Sequence, residues 1–265
     1  MFIDTITKSG IEKYLDNSEN FNITVLDSVD STNAMLKKIA TESPEYTVII
    51  ADSQSHGRGR FTRKFHSPEN CGIYMSILLK PTLKAENSVL LTAAAAVAVS
   101  LAAEKLSGRK TYIKWVNDVL IDNKKICGIL TEGSIDASNG GFNWAVVGIG
   151  INAYEPENGF SRDIAEIAAP VFNTKAPENR NRLIAEVLNI FLDFYKNLKD
   201  KTFYNEYKSR MLTIGKPVTV IKGDEQKDAV CLDLDQNCRL LVEYKDGKKE
   251  YLSSGEISVK HISST

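Results

Sequence analysis

The sequence carries almost no net charge. Its 33 lysines and arginines stand against 34 aspartates and glutamates, a formal net charge of −1 at pH 7. That balance excludes the blanket basicity of proteins that coat nucleic acid. Histidine is scarce, and His56, His66 and His261 share no metal-ligand spacing. The four cysteines, Cys71, Cys127, Cys231 and Cys238, form no C-x-x-C pair, so neither a zinc frame nor a disulfide frame is indicated. They read as small buried hydrophobes in a reducing compartment, and no metal site is expected. The opening MFIDTITKSGIEK has neither the basic start nor the apolar core of a secretory leader. The longest apolar run, VLLTAAAAVAVSLAA (89–103), is short for a bilayer and rich in alanine. It reads as a helix buried in the protein, and the cytoplasm is the expected location. No G-x-S-x-G, H-E-x-x-H or P-loop occurs, and there is no internal repeat or low-complexity linker.

What stands out is the stretch ADSQSHGRGRFTRKFH (51–66). It gathers Arg58, Arg60, Arg63 and Lys64 without an acidic residue between Ser53 and Ser67, and Gly57 and Gly59 alternate with the first two arginines. Two like charges about 6 Å apart repel by about 0.7 kcal/mol in water and by several-fold more once partly buried. A loop of this composition is expected to be mobile when empty and to order around an anion. Arginine forks and free backbone N–H groups suit phosphate or carboxylate oxygens. The flanking runs YTVIIA (46–51) and GIYMSILLK (72–80) read as strands, so the loop is held at both ends by core.

Residues 1–22 are mixed and polar, too few for a helix-turn-helix domain. ITVLD (23–27) alternates like a strand, and SVDSTNAMLKKIA (28–40) changes to helical spacing. Asp30 or Ser31 caps that helix, with Ala34, Met35 and Ile39 expected to face inward. The buried helix spans about 88 to 106 and stops at Gly108. TYIKWV (111–116) and VLI (119–121) are strand-like, Asp122-Asn123 signals a hairpin, and KKICGILTEGS (124–134) and NWAVVGIGIN (143–152) follow. In the last run Gly148 and Gly150 share a face, which lets a ligand or another backbone approach. NRLIAEVLNIFLDFYKNL (181–198) is an amphipathic helix, continued by FYNEYKSRM (203–211). From Leu212 the short runs PVTVI, AVCLDLD, RLLVEY and KEYLS alternate with turns at Gly223-Asp224, Gln236-Asn237 and Asp246-Gly247. This texture predicts a small all-β barrel over 213–265, after a larger domain at 1–212.

The polar punctuation is Ser31-Thr32-Asn33, Gln54, the GRGR loop, Lys114, Asn117-Asp118, Lys125 and Asn152. Most of these lie at strand ends or in loops, where one sheet edge would collect them. The set is rich in cations and amides and poor in nucleophiles. It suits reactions in which charge is stabilised, phosphoryl or nucleotidyl transfer above all.

Five stretches in order, DSVDSTNAMLKK (27–38), ADSQSHGRGRFTRKFHSP (51–68), IKWVNDVLI (113–121), KKICGIL (124–130) and VVGIGIN (146–152), together with SSGEISVK (253–260), carry a family resemblance. The chain resembles a biotin protein ligase of the short type, without the DNA-binding domain of some members. The resemblance implies an α+β fold, a mixed β-sheet flanked by helices and related to class II aminoacyl-tRNA synthetases, followed by a small C-terminal SH3-like barrel. It also implies a reaction. Biotin's carboxylate attacks the α-phosphate of ATP to give biotinyl-5′-AMP and pyrophosphate, and a lysine of a biotin carboxyl carrier domain then takes the biotinyl group. Biotin and ATP are the substrates, Mg²⁺ the accompanying ion, and neither DNA nor a membrane is a partner.

Carried over by residue, the resemblance places Ser31, Thr32, Asn33 and Gln54 on the biotin head, and Gly57, Arg58, Gly59 and Arg60 along its tail and the adenylate phosphate. Lys125 would hold carboxylate and phosphate, with Arg60 and Asp118 as its catalytic companions. Arg63, Phe65, Asn117, Asp118 and Asn152 would face the nucleotide. An uncharged ureido ring wants hydroxyl and amide partners, while a carboxylate and a phosphate want cations. Three positions depart from the family pattern: Val116 stands for proline in KWPND, Thr62 for glycine, and Phe65 for tryptophan. The hydrolysable adenylate asks for a loop that closes over it. Lipoate–protein ligase is the nearest alternative; a biotin-responsive repressor and an inactive binding module on the same fold are weaker. An exposed strand of the sheet would support a homodimer.

Overall fold

The computed structural model describes residues 4–61, 63–222, 225–253 and, as backbone alone, 258–261. Thr62, the turn expected at Gly223-Asp224 and residues 254–257 of the SSGEISVK stretch lie outside the described residues. The larger sheet contains β1 (Asn22–Val29), β2 (Thr47–Gln54), β3 (Gly72–Leu79), β4 (Tyr112–Lys114), β5 (Asp118–Ile121), β6 (Lys124–Ile135) and β7 (Phe142–Asn152). Their spatial order is β1-β2-β3-β7-β6-β5-β4. Strands β1 and β2 are parallel, joined by the crossover helix α2 (Thr32–Ile39), as parallel neighbours require. The remaining neighbours are antiparallel. The expected strand over 111–116 is shorter, because the chain turns at Trp115, whose peptide bond to Val116 is cis.

Every residue of β3 is buried, which is why GIYMSILL reads as one apolar run: both faces of the sheet are covered. Helix α1 (Lys8–Glu12) precedes the sheet. On one face, Ile73, Met75, Ile77 and Leu79 join the main core with α3 (Val89–Ser107) and α4 (Asn179–Lys196). Apolar almost all round, α3 is buried along most of its length, as a central core helix should be. Gly108 ends it in the left-handed region at φ 69°.

The opposite face is covered by α2 over a small cluster of Leu36, Ala40, Ile49, Leu78 and Val146. Here the expected inward set is corrected. Thr32, Asn33 and Leu36 are the buried residues of α2, whereas Ile39 is 39% exposed and Ala34 and Met35 are half-buried. The helix starts at Thr32, and its core-facing 32/36/40 stripe is led by polar residues. That detail locates the site.

After α5 (Tyr204–Ser209), the strands β8 (Pro217–Lys222), β9 (Glu225–Leu234), β10 (Leu240–Tyr244), β11 (Lys249–Leu252) and β12 (Ser258–His261) form a second, antiparallel sheet ordered β11-β10-β9-β8-β12. Strand β12 was not foreseen as a strand. This unit sits directly behind the β4–β5 turn. Trp115 donates its indole N–H to the carbonyl of Cys238 at 3.0 Å, Tyr207 donates to the carbonyl of Val116 at 3.0 Å, and Tyr204 to that of Leu234 at 2.9 Å.

Candidate active site

The polar start of α2 faces the sheet where β7 has no side chains. Ser31 caps the helix, its hydroxyl accepting from the backbone N–H of Ala34 at 3.4 Å. Buried Ser76 on β3 places its hydroxyl 2.8 Å from Oγ1 of Thr32 and 2.6 Å from Oδ1 of Asn33. Asn33 donates to the carbonyl of Leu130 at 3.2 Å and to Oε2 of Glu132 at 2.9 Å. A Cβ at Gly148 would overlap the Asn33 carboxamide, so the missing side chain on β7 makes this packing possible. Gln54 accepts through Oε1 from the N–H and hydroxyl of Thr32 at 2.9 and 3.2 Å. The result is a pocket end of hydroxyls and amides.

Glu132 collects this end. Besides Asn33 it takes a 2.5 Å contact from Lys37 and lies 3.8 Å from Arg58. Partial burial pushes its carboxyl up, but the hydrogen bonds from Lys37 and Asn33 outweigh that and hold it below the ordinary glutamate value.

The basic loop has its own backbone ladder, which its glycine content had not suggested. Arg58 and Lys64 form an antiparallel bridge, Gly59 N–H donates to Arg63 O at 2.7 Å, and Phe65 N–H to Gly57 O at 2.9 Å. The hairpin tip, Phe61, has φ 52° and is 46% exposed. Arg60 donates to Oδ1 of Asn117 at 3.1 Å. Burial pulls the Arg60 guanidinium down from its usual range, and the neighbouring Asp118 charge pushes it back up.

Lys125 lies 2.7 Å from Oδ1 of Asp118. The ladder between β5 and β6 is broken by a bulge between Val119 and Leu120, opposite Lys125–Cys127, a device that re-aims side chains next to sites. The lysine backbone is clamped on its free edge. Its N–H donates to Ile167 O at 2.6 Å, and its carbonyl accepts from Ala169 N–H at 3.0 Å and from Asn152 Nδ2 at 3.2 Å. Phe65 packs between β6 and β7, where a Cβ at Gly150 would lie 2.6 Å from its ring and one at Gly128 3.2 Å away. Its ring centroid is 5.9 Å from Nζ of Lys125.

One cavity thus brings together Ser31, Thr32, Asn33, Gln54, Arg58, Gly59, Arg60, Arg63, Phe65, Asn117, Asp118 and Lys125. Gly57 and Asn152 are not on its wall. A Cβ at Gly57 would lie 2.6 Å from the Ser67 hydroxyl, and Asn152 donates through Nδ2 to the Lys125 carbonyl. Sequence reading missed Tyr74, Met75, Trp115 and Ile149 on the wall, whose apolar character reads as core. It also missed Glu132 and Ser76 behind it. Serine at the centre of the run GIYMSILL is the signal that would have found Ser76. Neutral hydrogen-bonding groups line one end and cations the other. Such a cavity suits a ligand with a polar uncharged head and a carboxylate tail beside a phosphate.

Comparison with known proteins agrees with this chemistry. Residues 25–152 match the biotin/lipoate A/B protein ligase family, and residues 213–260 match the biotin protein ligase C-terminal domain. The chain is 32% identical over 233 residues to the bifunctional ligase/repressor BirA of Bacillus subtilis, covering 86% of this chain and 71% of that protein. It is 27% identical to the biotin–[acetyl-CoA-carboxylase] ligase of Mycobacterium tuberculosis, covering 88% of this chain and 87% of that protein. The fold superposes on the biotin protein ligase of Aquifex aeolicus in complex with biotin and ATP. There the TM-score is 0.75 and the identity 28%, over 91% of this chain and 99% of that chain.

Proposed function

The chain belongs to the biotin protein ligases of the biotin/lipoate A/B protein ligase family, and from that premise we propose how its residues perform the reaction. It is an ATP-dependent ligase that activates biotin to biotinyl-5′-AMP and transfers the biotinyl group to a lysine of its acceptor. Residues 1–212 form the catalytic domain and 213–265 the SH3-like domain. The observation that carries the assignment of roles is the polarity gradient of the cavity, from the Thr32–Asn33–Gln54 amide end to the Arg60–Lys125 cationic end. No observation favours lipoate, which lacks a ureido head to use the first of these.

Ser31, Thr32, Asn33 and Gln54 shape the pocket for the ureido ring. Arg58 and Arg60 follow the tail, bringing the carboxylate oxygen toward the α-phosphorus of ATP. As that oxygen attacks, negative charge spreads over the phosphoryl oxygens and the departing pyrophosphate. Lys125 and Arg60 offset it without moving a proton. Arg63, Phe65 and Asn117 serve the nucleotide. In the second step a neutral acceptor amine attacks the acyl carbon, the acyl–phosphate bond breaks and AMP leaves. An amine with an ordinary pKa of about 10.4 must first lose its proton, and Asp118 is the carboxylate placed to accept it. The basic hairpin excludes water from the anhydride between the steps.

Among the described residues no group of three His, Cys, Asp or Glu side chains could hold a metal on its own. Mg²⁺ therefore belongs to this reading as the companion of the ATP phosphates, with Asp118 as the nearby carboxylate. The acceptor is a biotin carboxyl carrier domain and the setting is the cytoplasm. A net charge of −1 offers DNA no general attraction, and DNA is not proposed as a partner. A homodimer would form through an outer strand of the larger sheet. Incubation with biotin, MgATP and a carrier domain, read by mass spectrometry, tests the assignment. One biotinyl group on one lysine supports it, and an unmodified carrier beside accumulated biotinyl-AMP contradicts the acceptor assigned.

A further inference from the structure

We propose that Glu132 is a positioning residue for the biotin head: it holds the Asn33 carboxamide with its oxygen left for the ligand, so that the site selects a head that donates an N–H there. The inference rests on the ligase reading above. Asn33 is 4% exposed and lines the cavity against Gly148. Its Nδ2 carries two hydrogens. One goes to the carbonyl of Leu130 at 3.2 Å and the other to Oε2 of Glu132 at 2.9 Å. The amide nitrogen therefore has nothing left to give a ligand. Oδ1 accepts from the hydroxyl of Ser76 at 2.6 Å. That bond uses one of its two lone pairs and leaves the other for an incoming donor.

A carboxamide is nearly symmetrical in shape, so packing against Gly148 does not decide which end is oxygen. Hydrogen bonding decides it. Turned over, Asn33 would set its oxygen against the Leu130 carbonyl and the Glu132 carboxylate, which are both acceptors. Ser76 would not resist the turn, since a hydroxyl can give or receive. Of the two acceptors that oppose it, only Glu132 is a side chain.

The surroundings of Glu132 keep it an acceptor. Oε1 takes a 2.5 Å contact from Lys37 and lies 3.8 Å from Arg58, so the carboxylate stays ionised and cannot donate. Lys37 and Arg58 are long and can follow a displaced carboxylate. Asn33, buried in the first turn of α2, cannot. A ureido ring carries an N–H on each side of its carbonyl. A site whose remaining atom is an acceptor rewards that group and disfavours a head without one.

Biotin-dependent ATP–pyrophosphate exchange by the intact enzyme separates this role from a purely structural one. Glu132→Gln, which can donate where the carboxylate only accepts, should raise KM for biotin about tenfold, the worth of a hydrogen bond to a charged group, while kcat and KM for ATP stay within about twofold. Dethiobiotin keeps the ureido ring without the thioether, and its KM should rise by the same factor. Glu132→Asp keeps the charge beside Lys37 and Arg58 but draws the carboxylate back from Asn33. It should show the same rise, and it serves as the test if Glu132→Gln does not fold. Lys37→Met removes an ion pair and leaves the Asn33 contact in place, so both KM values should stay within about twofold of wild type. Asn33→Ala should lose at least as much as Glu132→Gln, and the double variant no more than Asn33→Ala alone. Wild-type KM for biotin in both Glu132 variants, an equal loss in Lys37→Met, or losses that add with Asn33→Ala would overturn the proposal. Wild-type enzyme without biotin-dependent exchange would instead overturn the ligase reading on which it rests.

Discussion

The Lys125 ammonium and the Asp118 carboxylate meet at 2.7 Å across a bulged ladder. On the proposed reading, the pair divides the two half-reactions between a fixed cation and a carboxylate. Replacing the cation, Lys125→Gln, should lower the rate of biotinyl-AMP formation about 100-fold or more. Melting should hardly change, because Ile167 and Ala169 hold the backbone at this position. Single-turnover formation of the adenylate reads the effect. Asp118→Asn should instead slow transfer from pre-formed biotinyl-AMP by about 100-fold, and an unchanged transfer rate would assign proton removal elsewhere.

Arg60 joins the hairpin to Asn117 at 3.1 Å. Arg60→Gly should let biotinyl-AMP escape into solution, detected by trapping the free adenylate after rapid filtration. Retention at the wild-type level would contradict the role of the hairpin as a cover.

Gly148 is expected to be intolerant of any side chain, since a Cβ would overlap the buried Asn33 carboxamide. Overpacking costs about 1–3 kcal/mol. Gly148→Ala should therefore raise KM for biotin about tenfold or more while KM for ATP moves less.

Glu132 gives a pH dependence. Its folded-state value lies below the ordinary glutamate value of 4.5, so it contributes stability that is complete above about pH 4.5 and is lost as pH falls through the lowered folded value. Glu132→Gln should flatten the acid limb of a melting-temperature profile, and a profile parallel to wild type would show that the Lys37 and Asn33 contacts contribute nothing.

Arg180 is buried to 2% exposure with Asp4 and reaches Asp52 Oδ1 at 2.5 Å and the carbonyl of Gly72 at 3.1 Å. It spans both stems of the basic loop, because Asp52 also accepts from the N–H of Asn70 at 2.9 Å. Arg180→Met strands two carboxylates, and a cost of about 3–5 kcal/mol is expected in denaturant unfolding.

Much of this site was legible in the sequence because its residues break the pattern of their surroundings. A cation-rich, glycine-punctuated segment between two core strands, or Asn117-Asp118 inside a strand-like run, has no role in packing. The same logic fails where function and packing coincide. Tyr74, Met75 and Ile149 look like core and are also cavity wall. Ile39 was expected inside by spacing, yet Thr32 and Asn33 take the inner positions of α2 because Ser76 and Glu132 pair with them across the sheet. Partners separated by 43 and 99 residues leave no local mark. Asn152 was read as facing the nucleotide; its amide also donates to the Lys125 carbonyl, a contact its place at a strand end does not announce.

The most direct test of the account is ATP–pyrophosphate exchange by the purified protein, with biotin and lipoate as parallel substrates. The account predicts exchange with biotin that is lost in Lys125→Gln, and none with lipoate. Exchange driven by lipoate alone, or none with either in folded protein, would contradict it.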